Sequence, residues 1–292
     1  MQHNNTFLDD LRLRYRTGGM HIKLIFVNAA VFIGLGIAVV IARLSGFHIS
    51  FLHDIFALEA NFHGLLTKPW GLFTSIFSHF NFFHFLFNMV FLYFTGRMLE
   101  QFFGGKRLLL IYIFGGIAGG LFEVIAHEIF PALIHQQSVV VGASGSIMAI
   151  FIALAFYRPN LQVVLIAFPI KIIYLAGIYL LIDFVSLGTN DGTAHFAHLG
   201  GALFGILSIN NPHSSRNILA RMERFFDKLF SKKKPTMTVL GGNPRKTDYE
   251  YNAEKKSRQE RTDAILDKIS RSGYESLTKA EKDFLFNQSK HG

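Results

Sequence analysis

The sequence predicts an all-α membrane protein, a six-transmembrane-helix bundle followed by a small helical cytoplasmic tail. Three observations predict it. Half of the 292 residues are hydrophobic, 32 are Phe, and mean hydropathy is positive, which is too apolar for an ordinary soluble domain. Six apolar runs succeed one another before residue 210. Basic clusters precede the first run, part the second from the third and the fourth from the fifth, and follow the sixth, while the other loops hold few. The positive-inside rule then places both termini in the cytoplasm.

The net charge of +9 does not call for nucleic acid, because the segment after Asn210 carries eighteen Lys/Arg against eleven Asp/Glu and so holds most of the excess. Cysteine is absent, which removes disulfides, thiolate metal sites and a cysteine nucleophile together. Residues 1–20 read as a polar cytoplasmic segment with Arg12, Arg14 and Arg16. The apolar run behind them is too long for a signal-peptide core, so no cleavable signal is expected.

Residues 21–210 form the predicted membrane domain. The first span covers about 22–44. A connector at 45–78 carries Trp70 and an amphipathic piece, Phe51 to Phe56, suited to the membrane interface. The second span, 79–99, holds His79, His84 and Asn88; the third, 108–130, holds Gly115, Gly116, Gly119 and Gly120. A polar stretch at 135–138 leads into the fourth, which opens Val141-Gly142-Ala143-Ser144-Gly145-Ser146 and ends near Pro159. An apolar connector at 161–168 precedes the fifth span, reaching Phe184, and the sixth runs from about Thr193 to Asn210. By this topology His84, Ser144 and His198 fall near the outer ends of spans two, four and six, at one depth.

Ser144 and His198 are the candidate nucleophile and general base. A serine hydroxyl attacks only when a neighbouring base takes its proton, and imidazole titrates in the useful range. Ser144 opens a helix, where unpaired N–H groups and the macrodipole suit a developing oxyanion. Gly142 and Gly145 flank it. Gly201 and Gly205, beyond His198, make a small-residue stripe that draws two helices together. The plain alternative for these glycines is packing alone. His84 and Asn88, spaced i,i+4, project from one helix face as oxyanion donors beside the Ser144 backbone N–H, with interhelical bonding as the alternative. His195 is a rival base, but it sits nearer the surface and is expected to be solvated, as is Asp183. His127-Glu128 begins a zinc-protease pattern whose second histidine would fall on Pro131, so no metal site and no cofactor are expected.

Together, Gly142-Ala143-Ser144-Gly145, Ala197-His198-Leu199-Gly200-Gly201 and His84-xxx-Asn88 resemble the rhomboid intramembrane serine proteases, over roughly residues 20–210. His79, the Gly96…Glu100…Gly104-Gly105 run and Trp70 add local echoes. The resemblance implies a cavity open to the outer side and hydrolysis of peptide bonds in or beside transmembrane helices. By it Ser144 attacks, His198 carries the proton without an acidic third member, and His84, Asn88 and the Ser144 N–H hold the oxyanion. Substrates arrive between spans five and two, and helix-breaking stretches with small residues are preferred. Two positions depart from the family pattern: Gly71 follows Trp70 where Arg is frequent, and Met148 stands where an aromatic residue packs on the histidine, a place a thioether can fill.

The tail divides into a basic amphipathic helix with a linker, 211–250, and a small helical module, 251–292. Arg216, Arg221, Arg224 and Lys228 lie among Ile218, Leu219, Met222, Phe225, Phe226 and Leu229, a pattern for anionic lipid contact by residues 214–234. Helices are expected at 252–270 and 279–287, the second opened by a Thr278…Glu281 capping box. A similar tail recurs in rhomboids of Bacteroidetes-type bacteria, which implies a bacterial inner-membrane protein. The expected partners are transmembrane protein substrates and the lipid bilayer. The alternatives are a catalytically inactive rhomboid-like scaffold that binds transmembrane helices, and a small-solute transporter, for which broken helices and internal repeats are lacking.

Overall fold

The computed structural model describes residues 6–134, 138–165, 168–189, 192–212, 214–230 and 248–289. In chain order these form α1 (Phe7–Thr17), α2 (Met20–Leu44), α3 (Ser50–Phe56), β1 (Leu58–Glu59), α4 (Phe62–Thr67), α5 (Gly71–Thr74), α6 (Phe82–Ile129), β2 (Val139–Val140) and α7 (Ser144–Tyr157). Then come β3 (Gln162–Leu165), β4 (Phe168–Lys171), α8 (Ile172–Val185), α9 (His195–Ile209), α10 (Ile218–Phe230), α11 (Asp248–Ser272) and α12 (Lys279–Ser289). The chain divides into two units, Met1–Ser231 and Lys232–Gly292.

Among the described helices, α2 and α6 are long and apolar enough to cross a membrane; α7, α8 and α9 are apolar but of 14 to 15 residues. α6 is two helices joined at Gly104, whose φ of 78° breaks the helical path. That bend lies between the sequence-predicted spans two and three. Helices α7, α8 and α9 are shorter than the spans expected at about 141–159, 169–184 and 193–210. Residues 162–171, expected as a connector and the start of a span, instead make the antiparallel β3–β4 hairpin, pairing Val163 with Ile170.

The first unit is assembled around α7. Every residue from Gly145 to Ala155 is buried, enclosed by α6 and α9. Glycines set the approach. A Cβ on Gly115 would lie 2.3 Å from that of Ala149 on α7, and one on Gly119 2.5 Å from the Ala197 carbonyl of α9. α2 joins through Asn28, whose amide donates to the Tyr112 hydroxyl at 2.8 Å. Its N-terminus lacks a side-chain cap of its own, and Glu100 supplies one, accepting from Met20 N–H at 2.7 Å and His21 N–H at 3.1 Å. A side chain at Gly19 or Gly105 would strike that carboxylate, one at Gly96 would crowd His21, and Gly104 is held by its positive φ, so the run serves this junction in three ways.

α10 differs from expectation in what its apolar face meets. Leu219 is fully buried, Phe226 rests on Phe114, and Arg107 on α6 pairs with Glu223 at 3.4 Å. Part of the face therefore docks on the bundle, while Phe225, Leu229 and the four basic residues stay exposed. The predicted linker lies mostly outside the described residues, as do His135 to Gln137. In the second unit, Ile265 of α11 and Leu277 ahead of α12 are buried, Lys268 pairs with Glu281 at 3.0 Å, and Arg261 sits over the Phe284 ring. The capping box forms, with Thr278 N–H donating to Glu281 at 2.7 Å.

Candidate active site

Ser144 is the first residue of α7, and the segment before it is pinned from three sides. Val140 in β2 pairs with Leu58 in β1, Gly142 N–H donates to the Ser75 carbonyl at 2.9 Å, and Ala143 N–H donates to His79 Nε2 at 3.3 Å. Gly142 has φ 115°, and a Cβ there would stand 2.6 Å from the His84 ring, so both backbone and space require glycine. The cap residue Ala143 offers no side-chain bond, and the first intrahelical bond is from Ile147 N–H to the Ala143 carbonyl. The N–H groups of Ser144, Gly145 and Ser146 thus lie at the open positive end of the helix.

His198 reaches the same place on α9. Here the packing is backbone on backbone: a Cβ on Gly201 would stand 2.1 Å from the Gly145 carbonyl oxygen, and one on Gly205 2.4 Å from that of Ala149. A third helix holds the beginning of α9. Glu123 on α6, itself buried, accepts the Ala197 N–H at 2.8 Å and serves as a cap from outside the helix. Its neighbour His127 bonds the Glu123 carbonyl at 3.1 Å, so this pair has a packing role.

Ser144, His198, His84, Asn88 and Met148 line one cavity of about 550 Å³, with Asn81, Phe91 and Tyr179 among its other walls. The residues singled out in the sequence from three separate apolar runs converge on it. Asn88 spends one amide N–H on the His84 carbonyl of its own helix at 2.8 Å, which leaves the second for the cavity.

Two expectations are overturned. Asp183 is 2% exposed and His195 7%, so neither is solvated. The absence of a carboxylate beside His198 is also corrected: Asp183 Oδ1 lies 3.0 Å from His198 Nδ1 and 2.7 Å from His195 Nδ1. Ligand atoms of the three lie within 4.8 Å of one another, the spacing of a metal-binding trio. Both Nδ1 atoms are engaged on one carboxylate oxygen, so the trio reads as a hydrogen-bonded cluster without needing an ion. The available signal was a carboxylate in the last turns of an apolar helix, a position costly enough to imply a buried partner.

The rhomboid domain model matches residues 66–210, the stretch that contains every side chain of this cavity. The chain belongs to the rhomboid family. Among curated proteins, this rhomboid is 33% identical over 144 residues to RHOMBOID-like protein 1 of Arabidopsis thaliana, covering 48% of this chain and 33% of the relative. It is 30% identical over 177 residues to Rhomboid protease AarA of Providencia stuartii, covering 53% of this chain and 60% of the relative. Rhomboid protein 1, mitochondrial, of Saccharomyces cerevisiae is 27% identical over 163 residues, 54% of this chain and 45% of that protein. The matched part of the chain spans only 33%, 43% and 54% of three Arabidopsis relatives. Residues 246–291 match a separate family of unknown function, DUF6576.

Proposed function

We propose that this rhomboid is an intramembrane serine endopeptidase that cuts peptide bonds in or next to transmembrane helices of membrane-protein substrates. The observation that carries the reading is that Ser144, at the uncapped start of α7, and His198, on a helix seated against α7 at Gly145, line one cavity. Ser144 Oγ attacks the scissile carbonyl while His198 takes its proton and returns it to the leaving amine; water then repeats the sequence on the acyl-enzyme. The oxyanion is held by the Ser144 N–H with His84 and Asn88.

In this reading the two legs of α6, with α2, α7, α8 and α9, make six membrane-crossing segments in the bacterial inner membrane. Both termini are cytoplasmic and the cavity opens to the outer side, in keeping with the alternation of basic loops. The exposed Arg216, just ahead of α10, and the exposed Arg221, Arg224 and Lys228 on it face anionic headgroups, beside the exposed Phe225 and Leu229.

The test is cleavage of a model transmembrane substrate by purified protein in liposomes. Cleavage by the native chain that is abolished in Ser144→Ala and in His198→Ala supports the reading. Binding of the substrate without cleavage by the native chain would instead assign a non-catalytic scaffold.

A further inference from the structure

The proposed base, His198, belongs to a buried polar cluster with two residues that the proposed reaction does not use, Asp183 on α8 and His195 on α9. All three are nine-tenths buried or more, and both imidazoles address the single oxygen Oδ1, while Oδ2 has no hydrogen-bond partner. A carboxylate taken out of water needs a compensating positive charge, and two neutral N–H donors on one oxygen do not supply it. One proton shared within the trio does. His195 stands closer to the oxygen, at 2.7 Å, in the range of a charge-assisted bond. His198 lines the cavity with Ser144 and His195 does not.

The geometry points to Asp183 as the positioning residue for His198, with His195 as the cation that compensates Asp183 so that His198 stays a neutral base. This rests on the Ser144–His198 reading above. The Nδ1–H of His198 donates to Asp183, which fixes the tautomer whose free lone pair is on Nε2. That lone pair accepts the Ser144 proton as Oγ bonds the substrate carbon, then gives it to the amine as the C–N bond breaks. Asp183 stays ionised and takes no proton. Other titratable groups face the trio: Tyr179 on α8, with its ring 6.2 Å from that of His198, and Glu123 and His84 on α6. Their presence is common to every variant compared.

The experiment is the pH profile of cleavage in liposomes by the full chain and by Asp183→Asn and His195→Gln, with Ser144→Ala as the blank. Asp183→Asn is expected to lower kcat about 10²-fold or more with little change in KM, by loss of tautomer control. Its acid limb moves to lower pH, because the charge that favours a protonated imidazole is gone. His195→Gln lowers the rate less and moves the acid limb to higher pH, because His198 becomes the sole cation available to Asp183. Opposite displacements are the signature, and a packing role gives neither. Should Asp183→Asn fail to fold, the displacement in His195→Gln alone decides. Unshifted limbs in the folded variants, or shifts of one sign, overturn the inference. An inactive native chain, or an active Ser144→Ala, overturns the protease reading instead.

Discussion

α7 and α8 are both apolar helices of 14 residues, each delivering one polar group to the same neighbourhood, and they are held in opposite ways. α7 buries every residue from Gly145 to Ala155, and its backbone is touched directly by glycines of α9. α8 buries only Ile172, Ala176 and Asp183, and leaves Tyr174, Ile178, Leu181 and Ile182 exposed. The proposed nucleophile is thus located by close backbone contact, which leaves little room for displacement. The carboxylate is located by its own hydrogen bonds, on a helix that otherwise meets the bundle through side chains such as Ile172, Ala176 and Tyr179. An element with fewer buried residues opens at lower cost, so of these two helices α8 is the one expected to yield more easily.

Three substitutions break or sharpen that contrast. The largest effect is expected from Gly201→Ala, whose added Cβ would stand 2.1 Å from the Gly145 carbonyl. Neither backbone can give way without moving Ser144 from His198, so stability falls by about 3 kcal/mol. The thermal midpoint in detergent should drop by about 10 °C, with loss of cleavage. A midpoint within a degree of the native one would mean that the α7–α9 contact is loose. Next comes Asn88→Ala on α6, in the wall of the same cavity. If the α7 N-terminus shares the oxyanion with the Asn88 amide, cleavage slows by about 10²-fold while the midpoint stays put. An unchanged rate would leave the helix end working without Asn88. The smallest effect belongs to Gly177→Ala on α8, where an added Cβ meets nothing within 4 Å. Stability should hold or rise by up to about 1 kcal/mol, the helix propensity gain. A marked loss would show that α8 packs as tightly as α7.

Much of this was legible in the sequence for a physical reason: the residues that make the site also interrupt an apolar pattern. Ser144 among small residues, His198 ahead of Gly201 and Gly205, and His84 four residues before Asn88 all stand out in runs that should hold no polar group. The β3–β4 hairpin was not legible, because Val163, Val164 and Leu165 fit a buried helix as well as a strand. The docking of α10 was hidden for a similar reason. An apolar face suits lipid and protein alike, and the deciding pairs, Arg107–Glu223 and Lys106–Asp227, join residues more than a hundred positions apart. Asp183 was the costliest omission. At the end of an apolar run it reads as a solvated boundary residue as readily as a buried one, and its partners His195 and His198 lie on another helix.

In the proposed reaction His198 makes the hydroxyl of Ser144 nucleophilic. Covalent labelling with a fluorophosphonate, read by mass spectrometry of the intact chain and its peptides, tests it without any substrate. One adduct is expected, on Ser144, in the native protein and none above background in His198→Ala. No adduct on a folded native chain, or equal labelling of His198→Ala, would contradict it.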